Sequence, residues 1–127
     1  MSAAAELPKI LVIDDEIGPR ESLRMLLKPD YNVQTADCVE AGLKLLKEKQ
    51  PDTIVMDIRM PGMTGIEGLR KIREIDPHLS VIMLTGLSDT TTAVAGLHLG
   101  AADFLLKPIS MNELQARVAR ALEKRAL

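Results

Sequence analysis

Apolar residues gather in five short runs, KILVI, NVQTA, TIVM, SVIML and DFLL, each too brief for a helix and each closed by polar or turn-forming residues. Between them Leu, Ile and Val return every third or fourth position, the period of a helix with one buried stripe. The pattern predicts a first strand from Lys9 to Asp14, then a helix with Pro19 in its first turn, running to about Lys28 and stopped by Pro29. Asn32 to Ala36 is the second strand. Asp37 followed by Glu40 reads as a capping box opening a helix that carries Leu43, Leu45 and Leu46. Thr53 to Met56 is the third strand, and Thr64 with Glu67 caps a helix whose Ile66, Leu69, Ile72 and Ile75 keep helical spacing. Ser80 to Leu84 is the fourth strand. Ser88 then opens a fourth helix reaching about Leu99, with Gly100 as its C-cap; Thr90, Thr91, Thr92 and Gly96 make it the weakest of five. Asp103 to Leu106 is the fifth strand, and Ser110 with Glu113 caps a last helix presenting Met111, Leu114, Val118 and Leu122.

Strict alternation with short connections implies an α/β fold, a parallel sheet joined by right-handed crossovers and flanked by five helices. The first, third and fourth strands are nearly all apolar and read as central, buried on both faces. NVQTA is more polar and belongs at an edge. The order 2-1-3-4-5, a flavodoxin-like doubly wound sheet, satisfies both and puts the switch point between strands one and three.

Composition narrows the class further. The 127 residues suit one domain, 1–127, with a core at about 9–124, and no repeat or interdomain linker interrupts it. Aromatics are only 2% of the chain, so the core is aliphatic and methionine-rich. A net charge of −2 gives no electrostatic footprint for nucleic acid, and no direct binding to it is expected. Cys38 is the single cysteine, which excludes an internal disulfide, suits a reducing cytoplasm and reads as a small buried residue. No run approaches the ~18–20 apolar residues that span a bilayer, and MSAAAELPK, lacking a signal-peptide core, reads as a frayed terminus.

The chemistry lies in five residues, Asp14, Asp15, Asp57, Thr85 and Lys107, each at the C-terminal end of a predicted strand. Taken singly they read as helix caps, turn residues or an exposed lysine. Taken together they meet at the sheet edge where open α/β folds place their sites. Three clustered carboxylates repel one another unless a cation or proton compensates them. A hard oxygen site of this kind suits Mg²⁺, which keeps waters and completes its shell with phosphate oxygens. Lys107 adds a positive charge for an anion and Thr85 a hydroxyl donor, while one carboxylate can carry a phosphoryl group covalently. His78 and His98 have no metal-ligand partner at useful spacing and read as structural. Met56, Met60, Met63 and Met83 read as packing.

The segments LVIDDE, IVMDIRMPGMTGIEGL, VIMLTG and GAADFLLKP, in this order and spacing, resemble a response-regulator receiver domain of bacterial two-component signalling over Lys9 to Lys124. The resemblance implies that Asp57 is the phosphoacceptor and that Asp14 and Asp15 form the acidic pair for Mg²⁺, Asp15 as the direct ligand. Asp57 and the backbone carbonyl of Arg59 complete the protein's share of the shell. Thr85 and Lys107 contact the phosphoryl group, Phe104 is the aromatic that changes rotamer, and Lys107–Pro108 is a cis peptide. The implied partners are a sensor histidine kinase and an output domain or effector reached through the face of the fourth helix, fifth strand and fifth helix, with a homodimer also allowed. The implied role is that of a self-phosphorylating acceptor rather than an enzyme with a separate substrate.

Competing α/β readings lack their motifs. A flavin-phosphate loop would be Ser/Thr/Gly-rich where DDEIGP stands, a dinucleotide site needs GxGxxG there, and an aspartate-nucleophile phosphatase needs DxD where Asp14 and Asp15 are adjacent. DIRMPGMTGIEGL is similar to receivers of sigma-54-dependent activators, and ARALEKRAL reads as a helix running into a linker. A piece of a longer transcriptional regulator is therefore expected, with a stand-alone receiver acting by protein contacts as the alternative.

Overall fold

The computed structural model describes residues 7–86, 100 and 103–126. Five parallel strands, β1 (Lys9–Ile13), β2 (Asn32–Ala36), β3 (Thr53–Asp57), β4 (Ser80–Thr85) and β5 (Asp103–Leu106), form one sheet in the order β2-β1-β3-β4-β5. The expected order is met, with NVQTA at an edge. Four of the five expected helices fall among the described residues: α1 (Ile17–Leu27), α2 (Val39–Glu48), α3 (Gly65–Ile75) and a C-terminal helix, Met111–Ala126. The expected fourth helix, with Ser88, the three threonines, Gly96 and His98, lies outside them.

Successive side chains of a strand point to opposite faces, and here both faces are covered. Leu11, Ile13, Ile54, Met56, Val81 and Met83 pack with Leu46 of α2 and with Leu69 and Ile72 of α3. On the other face Ile10, Val12, Val55, Ile82, Leu84 and Leu105 pack with Leu23 and Leu27 of α1 and Leu114 and Val118 of the C-terminal helix. Two-sided burial is why β1, β3 and β4 read as unbroken apolar runs. Among the described residues no helix is long and apolar enough to cross a membrane.

The capping box of Thr64 and Glu67 forms as expected, and Ser110 Oγ accepts from Glu113 N at 3.3 Å. The Asp37 and Glu40 box does not form. The chain stays extended one residue further, so Cys38 is the N-cap and its Sγ accepts from Ala41 N at 3.4 Å. Cys38 is therefore half-buried and capping, not simply a small core residue. Two residues expected on inner stripes are more open. Ile75, the last residue of α3, lines a groove with Leu43 and Met63, and Met111, the first of its helix, lines a cleft with Pro19 and Pro108. Glycines complete the inner face of α3 instead. A Cβ on Gly68 would stand 2.9 Å from Val39 Cγ1, so its bare backbone lets α3 approach α2 closely.

Candidate functional site

Every strand delivers its C-terminal end to one edge. Asp14 extends the β1 ladder by one bond, donating from its backbone N–H to Ala36 O at 3.1 Å, and this draws its side chain inside the sheet edge. The carboxylate is 1% exposed. Its Oδ1 accepts from Glu16 N at 3.0 Å, while Oδ2 is buried without a hydrogen-bond partner among the described residues. Burial pushes the Asp14 carboxyl above its usual range; the Glu16 N–H opposes this, the Asp57 charge adds to it and Lys107 offsets part. Asp15 and Glu16 are exposed beside it, and the three carboxylates each offer an oxygen within 4.8 Å of the others.

Asp57 ends β3 and is 3% exposed. Its Oδ1 accepts from Arg59 N at 3.1 Å and its Oδ2 from Lys107 Nζ at 2.7 Å. Partial burial works to lower the Lys107 pKa, but the hydrogen bond and the charge of Asp57 outweigh it and hold the ammonium above its ordinary value. Lys107 follows β5 directly, its backbone N–H donating to Thr85 O at 2.7 Å, and its peptide bond to Pro108 is cis, as expected.

Thr85 ends β4 and is buried, with Oγ1 donating to Gly86 O at 3.2 Å, turned to its own backbone rather than to Asp57. Phe104 pairs in register with Met83 and packs half-buried against the cluster under α2 and α3. The Arg59 side chain, two residues beyond Asp57, is exposed; Leu87, at the equivalent place two residues beyond Thr85, lies outside the described residues. Asp15, Glu16, Asp57, Arg59 and Lys107 line a cleft of about 700 Å³, together with Met60 and Thr64.

The five residues singled out in the sequence thus lie at one edge, with Asp57 and Lys107 bonded and the acidic group beside them. Glu16 was missed as a member of that group. Its signal was its place directly after Asp14 and Asp15, but an exposed third carboxylate has no apolar pattern to mark it. The donors are all hard oxygens, and a buried unpartnered carboxylate oxygen is what a divalent cation relieves. The residues present therefore fit such an ion.

Residues 10–119 match the response regulator receiver domain family. The chain belongs to that family. This receiver is 40% identical over 119 residues to the transcriptional regulatory protein AfsQ1 of Streptomyces coelicolor, covering 93% of this chain and 52% of that protein. It is 38% identical over 114 residues to the transcriptional regulatory protein ZraR of Escherichia coli O157:H7, covering 89% of this chain and 26% of that one. This receiver thus spans about half the length of AfsQ1 and less of ZraR. Among solved structures it resembles a response regulator receiver domain protein from Clostridium thermocellum, with a TM-score of 0.91 and 35% identity over 94% of this chain and 98% of that one. The NtrX receiver domain of Brucella abortus has a TM-score of 0.85 at 32% identity, covering 90% and 98%.

Proposed function

We propose that this receiver takes a phosphoryl group onto Asp57 from the phosphohistidine of a sensor histidine kinase. The observation that carries the reading is the 2.7 Å contact of Lys107 Nζ with Asp57 Oδ2, set beside a buried Asp14 oxygen with no hydrogen-bond partner among the described residues. An Asp57 oxygen attacks phosphorus, the P–N bond breaks, and the imidazole leaves with the bond's electron pair. Phosphoryl transfer of this kind is helped chiefly by positioning and charge neutralisation. Lys107 supplies one positive charge and exchanges its Asp57 contact for a phosphoryl oxygen. The N–H of Arg59 already points at Asp57 Oδ1 and holds the carboxylate's plane.

Asp14, Asp15, Asp57 and the Arg59 carbonyl would hold Mg²⁺, with Glu16 at the rim. The ion would supply the positive charge that offsets the clustered carboxylates. Thr85 would then leave Gly86 O for a phosphoryl oxygen, and Phe104 would follow into the space released. The face that includes β5 and the C-terminal helix repacks and signals to an output domain or effector, directly or through a homodimer. Relatives named transcriptional regulatory proteins support a transcriptional output; the sigma-54 class rests on the DIRMPGMTGIEGL run, and the cytoplasm on the single cysteine.

The test is incubation with Mg²⁺ and acetyl phosphate, read by intact mass. One added phosphoryl group is expected, and none in Asp57→Asn. Labelling of the variant at the wild-type level would overturn the assignment.

A further inference from the structure

Arg73, in the last turn of α3, reaches three main-chain carbonyls with one guanidinium. Nη1 donates to Leu79 O at 2.6 Å and to Asp76 O at 3.3 Å, and Nη2 donates to Gly100 O at 2.6 Å. Leu79 immediately precedes β4, and Gly100 stands shortly before β5. Gly100 has φ +84°, a turn conformation that glycine adopts freely, and a Cβ there would lie 3.3 Å from Arg73 Nε. The guanidinium therefore rests against the turn itself.

β5 needs such an anchor. It is an edge strand of four residues, paired among the described residues with β4 alone, from Ile82↔Asp103 to Thr85↔Leu106. Four pairs and the buried Leu105 fix its register, so the height at which the strand enters depends on contacts made outside the sheet. Arg117 and Arg120 bind Asp103 from the C-terminal helix, which ties β5 sideways to that helix. Arg73 ties its entry to α3. The other end of α3 sits on β3: Gly65 N donates to Ile58 O at 2.8 Å, directly after Asp57. One helix thus references both partners of the ion pair, Asp57 at its first turn and the strand leading to Lys107 at its last.

We propose that Arg73 is a positioning residue, which sets the height of β5 and so the place at which Lys107 meets Asp57. The inference rests on the reading of Lys107 as the phosphoryl group's partner. Arginine suits the task because its planar fork presents five donors in fixed directions, whereas a lysine ammonium at the end of a flexible stem cannot hold three separated carbonyls. The leverage on chemistry is large, since a misplacement of about 1 Å can cost roughly 10²-fold in rate.

Two measurements on the chain test this. Residue-resolved amide hydrogen exchange of Arg73→Met and Arg73→Lys should show protection lost by about tenfold or more in residues 103–107, with β1 and β3 unchanged. An equal loss across the whole sheet, or no loss, overturns the proposal, and the lysine variant decides it if the methionine variant does not fold. A double-mutant cycle then reads phosphorylation by acetyl phosphate with Mg²⁺. Arg73→Met should slow it by about tenfold when Lys107 is present and by less than about twofold beside Lys107→Ala. Equal slowing in both backgrounds overturns the action through Lys107. Phosphorylation of Lys107→Ala at the wild-type rate instead overturns the reading of the site, while the exchange data still judge whether Arg73 holds β5.

Discussion

Gly65 lies flush against Asp57: a Cβ on Gly65 would stand 2.6 Å from the Asp57 carbonyl oxygen and 2.7 Å from Ile58 Cα. Both neighbours are backbone, so neither can rotate away, and a side chain there must lift α3 or push back the strand that carries the acceptor. Gly65→Ala is expected to destabilise the chain by about 1–3 kcal/mol, the usual cost of overpacking, and to slow phosphorylation. Gly18 of α1 is the control, with nothing within 4 Å of its added Cβ. Gly18→Ala should be neutral or stabilising, by up to about 1 kcal/mol. Urea unfolding of both variants checks the contrast.

Asp14 makes the metal-free chain pH-sensitive. Burial raises its carboxyl pKa in the folded state, so the native form holds a proton more tightly than the unfolded chain. The Asp14 contribution to stability should therefore rise as pH falls through the raised value toward the ordinary aspartate range, and the full cost of the charge is present above that window. Asp14→Asn should flatten this profile and raise the neutral-pH Tm in chelator. Thermal unfolding across mildly acidic to neutral pH is the measurement, and an unchanged profile in the variant would count against Asp14 as the source.

Metal binding should depend on side chains and on backbone differently. Asp15→Asn removes an oxygen anion and is expected to weaken Mg²⁺ binding and phosphorylation, whereas Arg59→Ala leaves the carbonyl in place and should change the affinity little. Mg²⁺ should raise the Tm of the wild-type chain, because the native cluster binds it and the open chain does not. Equal losses of affinity in the two variants would show the ligand set to be wrong.

The thiol cap of α2 gives a stability test. Sulfur is a weak acceptor, and Ala41 N lies 3.4 Å from Cys38 Sγ. Cys38→Ser should hold or raise the melting temperature, while Cys38→Ala should lower it, costing about 0.5 kcal/mol, the low end of the range for oxygen caps, by leaving the N–H uncapped. The reverse ranking in thermal unfolding would rule out a capping role.

The lifetime of the phosphorylated state should be set by Arg59 and Leu87, two residues beyond Asp57 and Thr85. An apolar branched side chain cannot orient water, and a guanidinium can cover phosphoryl oxygens through charge-assisted hydrogen bonds. Slow self-dephosphorylation is expected, and an Arg59→Asn, Leu87→Glu double variant should decay faster after removal of donor. Decay no faster than wild type would refute the role of these positions.

Much of the architecture was written locally. Strand positions and the edge place of NVQTA followed from hydrophobic periodicity, because both faces of β1, β3 and β4 are buried and only apolar side chains suit that; the order of the sheet satisfied the pattern without being fixed by it. That the five candidate residues meet was legible for a related reason: polar groups that end buried parallel strands are carried to the same edge. The Thr64 and Glu67 cap was legible because its bonds span three residues.

What needed the tertiary structure is whatever joins distant segments or carries no side-chain signal. Asp37 was expected to begin α2 and Cys38 does, because the exit from β2 stays extended one residue further than the local pattern shows. Gly65 and Gly68 face the core without any hydrophobic mark, since their contribution is the absence of a side chain. Helical periodicity does not set Arg73 apart from the other charges of α3, because its acceptor at Gly100 lies 27 residues away. Lys107 meets Asp57 across 50 residues. A sequence sets which groups seek partners, but a hydrogen bond is made only where the folded backbone brings donor and acceptor within about 3 Å.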